Sequence, residues 1–162
     1  MAVVVWTKVA GQEKYRALSR RLREAGEKGL QRKLTRAIRQ EGDGALRAVQ
    51  AAWLTVDVQS SRGGGESSGL RARVAAATRI SVLQNGIRIR TESKRVDPAY
   101  GRALTYGLDG LGSWRHPVFG NRAVWESQRG QEVFYKTLER FESRWRAGIE
   151  RAMEEIARQI EG

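Results

Sequence analysis

From Gln12 to Val58 the apolar positions Leu18, Leu22, Ala25, Leu30, Leu34, Ile38, Ala45, Val49 and Trp53 recur mainly at steps of three and four, with arginines and lysines between them. That spacing predicts a long helix with one apolar stripe. Gly26, Gly29, Gly42 and Gly44 interrupt it, and each works against a helix interior by up to ~1 kcal/mol relative to alanine. The cluster Glu41-Gly42-Asp43-Gly44 is the expected bend or break. A stripe this long exceeds what a small domain covers, so the expectation is that it protrudes or packs on a neighbouring subunit.

Beyond it, the segment Ser60 to Gly69 is flexible by composition. Leu70 to Ala77 predicts a short helix with Ser67 or Ser68 as N-cap. The period then changes to two. Ile80 and Val82 precede Asn85-Gly86, and Ile87 and Ile89 follow it in alternation with Arg88 and Arg90. This predicts a hairpin turning at Asn-Gly. Ile80, Val82, Ile87 and Ile89 share its buried face, and Arg79, Arg88 and Arg90 share the other. Lys94 to Gln128 has no clean period and holds both prolines. It predicts a long loop region with short strands at Ala103–Tyr106 and Ala123–Glu126, and loops this long commonly contact partners. Residues 131 to 160 carry Phe134, Leu138, Phe141, Trp145, Ile149, Met153, Ile156 and Ile160 at steps of four and three, the signature of a second long helix. The expected fold is α+β. It is a single domain over residues 1–162, with two long helices packed on a small antiparallel sheet containing the hairpin.

With 162 residues and 40% of them apolar, the chain can bury one real core. The absence of cysteine removes disulfides, thiolate metal sites and cysteine nucleophiles. No run approaches the length needed to cross a membrane, and Met1 to Trp6 is too short and too soon followed by Lys8 to read as a signal peptide. The net charge is +12, with arginine far commoner than lysine. Residues 1–130 hold 24 basic against 11 acidic side chains and residues 131–162 hold 6 against 7, so the excess lies ahead of the last helix. Such a surface suits a polyanionic or acidic neighbour.

Candidate chemistry is sparse. Ser60 to Gly69 lacks the Gly-Lys-Ser/Thr of a phosphate-binding loop. The single histidine, His116, has no cysteine to share a metal with, and Asp109 is the nearest carboxylate that could orient it as a base. Glu139, Glu142, Glu154 and Glu155 fall on the solvent side of the last helix. The expectation is therefore no enzyme, no metal, no cofactor and no small-molecule ligand. Trp114 and Trp125, in a loop segment, are expensive unless they anchor something. The interface candidates are Arg79, Arg88, Arg90, Trp114, Arg115, His116 and Trp125.

The stretch Trp114 to Gln128, with His116-Pro117-Val118-Phe119-Gly120, then Trp125 and Gln128, then an amphipathic helix from near Phe134, resembles the gene-product-10-like family of tailed phages. Members of that family are minor tail or head–tail joining proteins. The order of elements is similar too: long first helix, Gly-rich loop, hairpin, apolar-proline segment, last helix. The resemblance implies a structural ring, six-fold, at the neck or tail top. It implies neighbouring connector and tail proteins as partners, and a place in the virion after assembly in the host cytoplasm. Non-specific contact with phage DNA is a further expectation. It implies no catalytic residue. The alternative from the basic surface alone is a non-specific nucleic-acid-binding protein.

Overall fold

The structure, a computed structural model, describes residues 12–56, 69–83, 86–99, 101–110, 112–118 and 121–161. The Gly/Ser-rich segment 60–68, the Asn85 corner of the hairpin and the Phe119-Gly120 corner lie outside the described residues. The fold is α+β, with long N- and C-terminal helices packed on two antiparallel two-stranded sheets. The order is α1 (Gln12–Glu24), α2 (Lys28–Thr55), α3 (Leu70–Ala77), β1 (Thr78–Leu83), β2 (Gly86–Thr91), α4 (Ser93–Val96), α5 (Gly101–Asp109), β3 (Ser113–Val118), β4 (Asn121–Arg129) and α6 (Val133–Glu161). The chain groups into two compact units.

The first unit takes its described residues from Ala48–Arg79 and Arg90–Thr137. Its core holds Val49 and Trp53 of α2, Val74 of α3, Val96, Leu108 of α5 and Phe134 of α6, all 3% exposed or less. Trp53 and Phe134 meet at tilted rings 6.4 Å apart. Two buried threonines close the inner end of the first hairpin, with hydroxyls 2.9 Å apart at Thr78 and Thr91. Gln50 of α2 donates its amide to the Thr78 carbonyl at 3.0 Å. The helix α3 begins after Gly69, at φ 65° and without a side-chain cap, where a serine cap was expected.

The stretch 94–128, expected to be mostly loop, is largely regular. The expected strand at Ala103–Tyr106 is instead the middle of helix α5. Asp97 and Pro98 set its start: the Asp97 carboxylate accepts from the Ala99 N–H at 2.9 Å, and the Asp97 carbonyl accepts from the Gly101 N–H at 3.0 Å. The buried face of α5 is Gly101, Thr105 and Leu108, at steps of four and three. Only one of these is strongly apolar, so the helical period was invisible to a count of hydrophobic residues. Gly101 is required because a Cβ there would strike the Ser93 carbonyl.

The second unit takes its described residues from Trp6–Arg47, Ile80–Ile89 and Leu138–Gly162. Tyr15, Leu18, Leu22, Leu34 and Ile38 of α1 and α2 are buried, as are Leu138, Trp145, Ile149, Met153 and Ile156 of α6. Here α2 and α6 run antiparallel: the Glu41 side chain lies over Gly148, and Lys33 donates to Gln159 at 3.0 Å. No break falls at Glu41–Gly44. Helix α2 continues through it, and Gly42 has a packing role: a Cβ at that position would meet the Ile80 side chain, with the Ile87 methyl 3.2 Å away. The break falls at Gly26 instead. There the Glu27 N–H donates to the Leu22 carbonyl at 2.9 Å and the Gly26 N–H to the Arg23 carbonyl at 3.1 Å, with Gly26 at φ 73°. This is a Schellman stop, which glycine accepts without a Cβ penalty.

Candidate functional site

The segment that carries the family resemblance folds as the hairpin β3–β4 in the first unit. Its pairs include Trp114 with Gln128, Arg115 with Ser127, His116 with Glu126 and Pro117 with Trp125, and the register slips after Pro117. A proline is tolerated there because both strands of a two-stranded ribbon are edges. Alternation divides the four expected interface residues that lie on this hairpin. Trp114 and His116 fall on the inner face, and Arg115 and Trp125 on the outer one.

Trp114 packs its indole against the bare Cα of Gly107 in α5, where a Cβ would collide with it. Its ring lies 4.6 Å from the imidazole of His116, and His116 Nε2 lies 3.2 Å from Gln128 Oε1, a buried side chain. Trp114 therefore packs the hairpin onto α5, with His116 stacked beside it, and both are half-buried. The outer face keeps Trp125, 49% exposed, with Arg115, Ser127 and Arg129 exposed beside it. Tyr106 of α5 and Tyr135 of α6 are 54% and 46% exposed in the same unit. Burial raises the Tyr135 hydroxyl's pKa, and the neighbouring Asp109 and Tyr106 add to the shift.

On the first hairpin, Ile87 and Ile89 are buried and Ile80 and Val82 are half-buried, so the expected face is the inward one. Arg79 is exposed and Arg88 half-buried. Arg90 is half-buried too, its guanidinium reaching Glu92 Oε1 at 2.8 Å while Arg95 holds the other carboxylate oxygen.

Asp109 has a role that sequence reasoning assigned elsewhere. It does not orient His116. Its carboxylate accepts from the Phe134 N–H at 2.6 Å and so caps the first turn of α6 from a distance of 25 residues in sequence. The Gln131 N–H donates to the Leu108 carbonyl at 2.9 Å, and a Cβ on Gly130 would strike the Gly110 carbonyl, so the C-terminus of α5 seats the start of α6. Burial pushes the Asp109 carboxyl up to about 6; the Phe134 hydrogen bond opposes this and nearby Glu132 reinforces it. A carboxyl raised on folding favours the fold fully below its unfolded value near 3.8, and that contribution is lost as pH rises through about 6. Asp109→Asn keeps a carbonyl acceptor for Phe134 and removes the charge. The variant is expected to melt above the wild type at neutral pH, with the gap closing as the pH falls below about 4. Thermal melts over that range check it, and a gap independent of pH would sink the assignment.

Among the described residues no cluster of three or more His, Asp or Glu could hold a metal ion. Among them, too, no helix is long and apolar enough to cross a membrane. No family model matches the chain, and no curated protein or solved structure is significantly similar to it.

Proposed function

We propose that the chain is a structural subunit of a tailed-phage virion, forming a ring at the head–tail connector or the top of the tail. The reading draws on the resemblance of Trp114 to Gln128 and of the element order to the joining-protein family. The observation that carries it furthest is the outer face of β3–β4, where Trp125 stands half exposed on the segment that bears the resemblance. A half-exposed tryptophan on the same strand face as an arginine is a typical anchor for a protein partner. A head-to-tail contact through such a face closes into a ring when its rotation divides a full turn.

One expected support is withdrawn. The long apolar stripe of α1 and α2 does not need a neighbour: Leu18, Leu22, Leu34, Ile38, Ala45, Val49 and Trp53 are all buried within the chain. The exposed candidates Arg115 and Trp125 both lie on the hairpin β3–β4. Sedimentation velocity with electron microscopy tests the reading. The wild type is expected to form closed rings, and Trp125→Asp to remain monomeric with an unchanged thermal melt. A wild type that stays monomeric at every concentration, or a Trp125→Asp variant that still closes rings, overturns the reading.

A further inference from the structure

Part of the chain's basic excess lies unmixed with acidic residues along one helix face. Residues 28–40 hold five cations and no acidic side chain. Four of them, Lys28, Arg32, Arg36 and Arg39, follow one another at steps of four, four and three, so they share one side of α2 over roughly 16 Å. All four are exposed. With Gln31 and Thr35 they line an open concavity of about 700 Å³. No carboxylate among the described residues pairs with any of them.

A solvated face would look different, and α6 shows how. There Glu132 holds Lys136 and Glu142 holds Arg146, both at 3.1 Å and both one turn apart. On α1 the concavity lined by Arg16, Arg20 and Arg23 also contains Glu13 and Glu24. The α2 strip has no such interleaving. Like charges one turn apart work against a helix, and this strip keeps that repulsion unrelieved.

We infer that the Lys28–Arg32–Arg36–Arg39 face of α2 binds the phosphate backbone of duplex DNA without reading its sequence. Three features choose this partner. A duplex carries one negative charge per ~1.7 Å of axis, both strands counted, so phosphates come within reach of a face of this length in any register. An acidic protein surface normally gains register from mixed charges, and the strip has only one sign. Single-stranded nucleic acid is held largely by stacking on aromatic rings, and the residues lining the concavity include none. Three of the four cations are arginines, whose planar fork suits phosphate oxygens. The inference stands apart from the ring reading, since a monomer would carry the same face.

Fluorescence anisotropy on a labelled duplex of random sequence, titrated across KCl concentrations, tests it. Four neutralised phosphates give a slope of log affinity on log salt of about −3.6, a roughly hundred-fold loss between 50 and 200 mM. The variant Lys28→Gln/Arg32→Gln/Arg36→Gln/Arg39→Gln is expected to lose that part of the slope while keeping its helical circular dichroism. A control that removes equal charge from α6 (Arg140→Gln, Arg144→Gln, Arg151→Gln and Arg158→Gln) is expected to keep it. Arg32→Lys/Arg36→Lys/Arg39→Lys, which keeps the charge, is expected to keep the slope too. The proposal is overturned if the two glutamine variants behave alike, if the strip variant retains the wild-type slope, or if polyglutamate of equal charge competes as well as unlabelled duplex. That last result assigns the face to an acidic protein.

Discussion

Trp53→Ala is expected to destabilise the protein by about 3–5 kcal/mol, the range for deleting a large buried aromatic. Trp53 is 1% exposed and lies against Phe134, itself fully buried at the first turn of α6. The alanine variant leaves a cavity bordered by that ring, and the surrounding backbone cannot collapse freely because Gln50 and the threonine pair Thr78 and Thr91 are tied by hydrogen bonds. For a chain of this size the melting midpoint is expected to fall by roughly 10 °C. The indole N–H of Trp53 meets no acceptor among the described residues, so Trp53→Phe removes volume and an unsatisfied donor together. Its loss is expected to be well below that of alanine. Thermal or urea melts of the pair check both statements, and equal losses for phenylalanine and alanine would show that the indole nitrogen is satisfied.

Trp145→Ala is the corresponding expectation in the second unit, again about 3–5 kcal/mol. Trp145 is 5% exposed at the middle of the α6 stripe, one turn from Ile149 and two from Leu138 and Met153, all buried. Close by in sequence, Gly148 lets the Glu41 side chain of α2 approach α6 directly, which leaves little room for the helices to rearrange around a lost indole. Chemical denaturation should show the midpoint moving with little change in slope, as for a mutation that alters stability alone. A melt indistinguishable from the wild type would mean that the stripe does not face the core.

The long helices and the first hairpin were legible because their burial follows their period. Along α6, Phe134, Leu138, Trp145, Ile149, Met153 and Ile156 are each apolar and each buried, so the sequence pattern and the packing carry the same information. On the first hairpin the alternation places Ile87 and Ile89 inward, and it extends to Thr78 and Thr91, which no hydrophobic count would choose. Helix α5 and strand β3 were not legible, although the strand expected at Ala123–Glu126 does lie within β4. The inward faces there use glycine, threonine, histidine and glutamine: Gly101 and Thr105 on the helix, His116 and Gln128 on the ribbon. A small residue can face inward because a neighbour approaches it, as Trp114 does at Gly107, and that reason lies far away in the chain.

The candidate surface divides in the same way. Sequence alone determined that the chain is α+β with a long helix toward each end, that its basic charge precedes the last helix, and that Trp125 and Arg115 belong to a segment worth examining. These follow from periodicity and composition, which are local and survive without coordinates. Only the tertiary structure decided that Trp114 and His116 turn inward while Trp125 stays out, because one residue's difference in strand parity reverses the face. It also decided that Asp109 caps α6, that Arg90 is held by Glu92, and that Gly26 and not Gly42 ends a helix. A glycine reads the same in sequence whether it breaks a helix or admits a neighbour's side chain. The φ of 73° at Gly26 and the Ile80 side chain over Gly42 tell them apart.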